Sequence, residues 1–281
     1  MSWLVIAKKE FQDAVRARVF WLLSGLFMAL VLLISGVYVY IDEVADADQS
    51  TLGLIFFIAS ALGLFVSLTA LVVCYKSIAG ERESGSMKIL LSLPHSRLDV
   101  VLGKILGRSG VLAIPVAVAL FVGAVVGTVA LNDVEIIGTV AFPLVGLLYV
   151  MTYVSIFVGL SATTGSTNRA ASLSVGFFLV LELFWGIIVT GVAFIQAGFE
   201  FVPPSEYPEW AFILSQIQPS SAFGTALVAV IPDAPRAAFG SVPAEQVDAI
   251  YATPWLGLVM LLVWLVVPPV IGYMKLEKAD L

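Results

Sequence analysis

Six stretches of this 281-residue chain are apolar and free of Lys, Arg and Asp over enough residues to cross a bilayer. They run over 19–41, 52–74, 109–131, 137–160, 173–195 and 255–273, and Glu182 is their one acidic or basic side chain among Asp, Glu, Lys, Arg and His. At a rise of about 1.5 Å per residue, each helix would cover a hydrocarbon core ~30 Å thick. A helix also satisfies its own backbone groups where no water can. Composition points the same way, at 60% hydrophobic and 12% charged, against about 45–50% and 25% for a soluble domain. The expected fold class is therefore an all-α membrane protein with six transmembrane helices in a single domain over 1–281. The first run is too long, and too poor in a small-residue cleavage site, for a removable signal, and is read as a permanent helix.

Basic residues give the orientation. Lys8, Lys9, Arg16 and Arg18 precede the first span; Lys76, Arg82, Lys88, Arg97, Lys104 and Arg108 lie between the second and third; Arg169 lies between the fourth and fifth; Lys275 and Lys278 follow the sixth. Of 14 basic residues only Arg236 falls on the other side. The positive-inside rule predicts a multi-pass protein of the cell membrane with both termini cytoplasmic. The outer loops are strongly acidic, and the formal net charge of −6 argues against nucleic acid as a partner.

Three segments lie outside the spans. Residues 2–18 place Leu4, Phe11 and Val15 on one helical face and Lys8, Lys9, Gln12, Asp13 and Arg16 on another, the pattern of an amphipathic helix in the membrane interface. In the inner loop, 75–108, Gly85 offers a break, 87–93 forms a short apolar helix, Pro94 stops it and Ser96 caps a new helix leading into span three. The outer loop, 196–254, holds Ala222, Phe223, Ala226, Leu227 and Val230 at helical spacing, which predicts a surface-lying or partly re-entrant helix.

Catalytic chemistry is sparse. The single cysteine, Cys74, permits no intrachain disulfide, and with the single histidine, His95, it leaves no soft-ligand cluster, so no metal site is expected. The Gly103-Lys104 pair has Leu98 and Ile105 where a phosphate-binding loop needs glycine and a hydroxyl, so the chain is expected to bind no ATP and to be no enzyme. Glu182 costs at least ~2.5 kcal/mol to bury unless protonated or paired, which makes it the candidate for a transport path or for a hydrogen bond to a neighbouring Ser or Thr. Gly53, Ser60, Gly63 and Ser67 in span two, with Ser172 and Gly176 in span five, allow close helix approach, either between two chains or within one. Two other classes stay in view. A secondary transporter or channel would need more intramembrane charge or an inverted repeat, and an integral-membrane enzyme would need polar residues converging at one depth.

The order Glu81-Arg82-Glu83, Gly85, Leu90-Leu91, Ser92, Pro94, Ser96-Arg97 and Gly103-Lys104 resembles the loop between spans two and three of type-2 ATP-binding-cassette exporter permeases. The basic amphipathic segment before span one, the turn over 159–169 and Gln218-Pro219-Ser220-Ser221-Ala222-Phe223 extend the similarity over most of the chain. The last stretch carries Gln218 where that family has asparagine. The pattern looks most like the branch that includes permeases serving nitrous oxide reductase maturation. The resemblance implies an elbow helix, a cytoplasmic coupling helix and docking on a separate ATPase subunit that holds ATP and Mg. It also implies a second permease copy or paralogue, and export through the bilayer. Coupling is then expected of Glu81, Arg82, Glu83, Gly85, Met87, Leu90, Leu91, Pro94 and Arg97. Arg82 is expected to pair locally with acids, and Arg97 to meet lipid phosphates or the partner.

Overall fold

The computed structural model describes residues 2–41, 49–200, 208–232, 234 and 253–279. Among these all regular structure is helical. Six helical stretches are long and apolar enough to cross a membrane: Phe20–Tyr40, Thr51–Glu83, Arg97–Ala130, Ile136–Ala162, Thr167–Gln196 and Trp255–Glu277. In chain order the helices are α1 (Ser2–Arg16), α2 (Arg18–Tyr40), α3 (Thr51–Cys74), α4 (Ala79–Glu83), α5 (Ser86–Ser92), α6 (Arg97–Ala130) and α7 (Ile136–Ala162). They continue with α8 (Thr167–Phe177), a π-helical stretch over Phe178–Phe184, α9 (Trp185–Gln196), α10 (Glu209–Ser215), α11 (Pro219–Val230) and α12 (Trp255–Glu277).

The third span begins earlier than hydropathy suggests. Ser96 accepts from the Asp99 amide while the Asp99 carboxylate accepts from Ser96, a complete capping box, and α6 runs from Arg97 through the polar stretch and past Pro115 to Ala130. Helix α7 is the centre of the bundle, with α3, α6, α11 and α12 packed around it. Its Phe142, Tyr149, Tyr153 and Phe157 are among the largest fully buried side chains. Most of this span is enclosed by other helices, with Val140 and Leu144 left exposed, and its tyrosines lie on the enclosed face.

Two segments sit closer to the bundle than their sequence pattern alone requires. Helix α1 lies along the first half of α6, where Gly103 and Gly107 remove the side chains that would block it. A Cβ at Gly103 would stand 2.7 Å from that of Ile6, and one at Gly107 would stand 2.7 Å from that of Glu10. Its opposite face leaves Leu4, Val5, Lys8 and Lys9 exposed. Helix α11 is inserted among α12, α7 and α3, with Ala222 through Leu227 buried. It is thus enclosed between spans and does not lie on the outside of the bundle. Small residues at Ala222, Gly224 and Ala226 let α12 approach its backbone, and Gly257 would carry a Cβ 2.5 Å from the Ala222 carbonyl oxygen.

The fifth span, with the sixth, is the least enclosed. Leu179, Val180, Leu183, Phe184, Ile187 and Ile188 all face outward around the π-helical stretch. Glu182, in the middle of that stretch, points the other way and is buried.

Candidate functional site

The helices that begin and end at the basic end of the bundle meet in one charged joint. Lys104 of α6 is 1% exposed, and its Nζ donates to Glu10 Oε1 of α1 at 2.8 Å and to Glu81 Oε1 of α4 at 2.7 Å. Arg108, one turn along α6, lies 3.3 Å from Glu10 Oε2 and also donates to the Val73 carbonyl of α3. Two cations and two carboxylates thus balance at a junction of four helices. Burial alone would raise the Glu10 carboxyl; the Lys104 and Arg108 cations outweigh it and hold that group below its ordinary value.

Helix α4 is tied down from its other sides by the turn between α7 and α8. The Ile78 and Ala79 amides both donate to Ser161 Oγ at 3.1 Å. Glu83 accepts from the Thr167 amide at 2.9 Å and from its hydroxyl, so a carboxylate of α4 caps the start of the fifth span. Arg82 donates to the Ala162 carbonyl at 3.3 Å, at the last turn of α7. The expected pairing of Arg82 with its acidic neighbours is not what forms. Glu81 and Glu83 turn away from it to Lys104 and Thr167, and Arg82 supplies a donor to an end-of-helix carbonyl that lacks one.

Gly85, at φ 75°, turns the chain between α4 and α5, a conformation that favours glycine. That turn sets which face of α5 looks outward. Met87 is buried, and Leu90 and Leu91 are half-buried against the core. Ile89 (72% exposed) and Leu93 (53%) project from the bundle beside exposed Lys88, Ser92 and Pro94. The free apolar pair of this helix is thus Ile89 and Leu93, which the sequence reading missed. Their i, i+4 spacing was visible, yet so was the competing face of Met87, Leu90 and Leu91. Arg97 finds partners within the chain. Its guanidinium donates to the carbonyls of Leu276, Glu277 and, at 3.0 Å, Ala279, closing the C-terminal end of α12 where orphan carbonyls accumulate.

The second polar centre lies within the spans. Tyr153 of α7 donates its hydroxyl to Glu182 Oε1, and the Ser220 hydroxyl also reaches the carboxylate. Gln218 Nε2, at the N-terminal edge of α11, reaches the Glu182 backbone carbonyl at 3.4 Å. Tyr149, one turn from Tyr153, donates to the Gly63 carbonyl at 3.0 Å and stacks on Phe223 with centroids 4.4 Å apart. The acid is buried and faces the bundle interior. The expected hydroxyl partner on a neighbouring helix is present as Ser220, and Tyr153 adds a second that the sequence reading missed; a tyrosine within an apolar span was the available signal.

The small residues divide by location. A side chain at Gly53 would run into Tyr38, one at Gly63 would meet Tyr149 and Ser220 at 3.3 Å, and Ser67 is buried, so these positions serve packing within the chain. Ser60 and Ser172 are exposed, and Gly176 has open space before it. Ser172 also lines an open groove of about 480 Å³ with Thr163, Thr164, Asn168, Arg169 and Leu173 at the start of α8.

The family described as "ABC-2 family transporter protein" matches residues 4–281. Two curated relatives carry the description "Probable ABC transporter permease protein NosY". The one from Stutzerimonas stutzeri is 27% identical over 221 residues, covering 75% of this chain and 76% of the relative. The one from Pseudomonas aeruginosa is 25% identical over 201 residues, covering 69% and 71%.

Proposed function

Because the chain belongs to the ABC-2 family of transporters and is a multi-pass transmembrane subunit of that class, we propose that it is the permease half of an ATP-driven exporter. In this reading the basic end faces the cytoplasm with both termini, as the positive-inside pattern predicts. A separate ATPase subunit docks on α5, binds ATP and Mg, and supplies the energy. A second permease copy or a paralogue completes the path, with Ser60, Ser172 and Gly176 on the faces open to it.

The observation that carries the proposal is the anchoring of α4. One short helix bears the docking segment on one side and is bonded on the others to Lys104 of α6, through it to α1, and to the start of α8. A push on Ile89 and Leu93 therefore reaches the elbow helix and the third and fifth spans together. Packed elements of this kind move as rigid bodies between discrete arrangements, so ATP-driven closure of the partner would switch the path rather than deform it. Glu182, Tyr153 and Ser220 form the polar point on that path, and the permease contributes no hydrolytic chemistry of its own.

Purification with the native partners tests the reading. An ATP-hydrolysing subunit should accompany the wild-type permease and be lost from Ile89→Asp/Leu93→Asp, while Leu90→Asp/Leu91→Asp should also weaken assembly through damage to the α5 seat. Transport by the purified chain alone, without any ATPase, would return the channel or secondary-transporter reading. Retention of the ATPase by Ile89→Asp/Leu93→Asp would remove the docking assignment.

A further inference from the structure

The end of α10 and the turn leading into α11 are bonded to two different spans by side chains that the docking argument does not use. The Trp185 indole, at the end of the π-helical stretch, donates to the Leu214 carbonyl at 2.7 Å. The Trp264 indole of α12 donates to the Ile217 carbonyl at 2.8 Å. Gln218 donates to the Glu182 carbonyl at 3.4 Å, inside the π-helical stretch itself. Three side-chain donors thus join residues 214–218 to spans five and six.

The placement of these bonds is informative. A π-helical stretch is a wide, uncommon turn that marks a point where a helix can bend, and its carbonyls lose the i+4 partners of an α-helix. Here one such carbonyl, that of Glu182, is reached by Gln218, and the residue that resumes the α-helix, Trp185, is held by the same turn. The rest of span five offers little resistance to bending, since its outer face packs on nothing in this chain. The polar cluster of Tyr153, Glu182 and Ser220 lies directly beside the bend.

We infer that residues 214–218 act as a latch on a hinge in the fifth span. With Gln218 and Trp185 engaged, α9 is held against α10 and α11 and the Glu182 cluster stays closed; when they release, α9 swings relative to α8 and uncovers it. The inference rests on the exporter reading only for the claim that the swing is part of the transport cycle. The hinge and its latch are properties of this chain alone.

Spin labels at positions 175 and 192 test it, since Val175 and Val192 face outward (43% and 48% exposed) on the two sides of the bend. In a Cys74→Ala background the labelled sites are about 25 Å apart along the axis at ~1.5 Å per residue, within the range of pulsed electron spin distance measurement. The nucleotide-free permease in lipid nanodiscs should give one dominant distance. Gln218→Ala and Trp185→Phe should each raise a second, minor distance about fivefold, the factor for one net hydrogen bond of ordinary strength. Trp210→Phe, which removes a further bond between α10 and α9, from the Trp210 indole to Gln196, should raise the same minor distance. Unaltered distances in Gln218→Ala and Trp185→Phe, at wild-type unfolding midpoints, would overturn the latch. A second arm needs no weakened contact: a short bismaleimide across cysteines at 186 and 213 should pin the hinge and slow ATP hydrolysis by the purified complex about tenfold. Full hydrolysis in the tethered complex would remove the swing from the cycle, whereas failure of any ATPase to co-purify would count against the exporter reading and leave the spin-label result standing.

Discussion

Lys104 and Glu182 are both ionisable side chains withdrawn from water, and their surroundings differ in kind. Lys104 has two carboxylates on two other helices within 2.8 Å, with Arg108 completing a neutral set. Glu182 has a tyrosine hydroxyl, a serine hydroxyl and a nearby amide, and no cation among its bonded partners. A buried charge matched by opposite charge is a fixed joint, because removing one partner strands the others. A buried acid held by neutral donors can lose its charge, or exchange its partners, without stranding an opposite charge. The first arrangement suits an element that must transmit displacement without slack, and the second an element whose environment changes during a cycle.

The largest effect should come from breaking the joint. Lys104→Met leaves Glu10 and Glu81 with Arg108 alone, and a broken buried pair costs about 3–5 kcal/mol. The variant should insert poorly or unfold at much lower temperature in detergent, and adding Glu10→Gln and Glu81→Gln should restore much of the loss. If Lys104→Met were as stable as wild type, the joint would be an exposed ion pair of little consequence.

At Glu182 the two substitutions should separate. Glu182→Gln keeps an oxygen for the Tyr153 hydroxyl and should leave the unfolding midpoint nearly unchanged while lowering ATP hydrolysis by the complex. Glu182→Leu strands the hydroxyl of Tyr153, at about 1–3 kcal/mol for a buried unsatisfied group, so it should lose stability as well. Equal activity of wild type and Glu182→Gln at matched expression would make this acid a structural residue.

Acid should loosen the joint before it touches the rest of the fold. The folded-state Glu10 carboxyl lies below its ordinary value of 4.5, so its contribution is fully present above that pH. It is lost as pH falls through the depressed value. Limited proteolysis at the α1–α2 junction should accelerate only below about pH 4.5, and Glu10→Gln should flatten that profile. The smallest effect is expected of Arg82→Ala, which removes one partly exposed hydrogen bond to the Ala162 carbonyl, worth about 1 kcal/mol. A loss as large as that of Lys104→Met would mean that the α7–α8 turn, and not Lys104, is the principal anchor of α4.

The six spans, the break at Gly85 and the cap at Ser96 were legible in the residues because each depends on its near neighbours: hydrophobic length, a positive φ, a side chain three residues from an amide. So was the burial of Glu182 toward the bundle, since an acid has nowhere else to go in hydrocarbon. What the chain's order could not supply was the choice of partner across long separations. Glu81, Arg82 and Glu83 are adjacent and could pair with one another, yet they bond to Lys104, Ala162 and Thr167 on three different elements. Arg97 finds the end of α12, and α5 turns Ile89 rather than Leu90 to the outside. In each case the local sequence offers more than one pairing. The packing of α6 and α12 on α7, and of α1 on α6, selects among them, because it decides which orphan carbonyls and which counter-charges stand within hydrogen-bond reach.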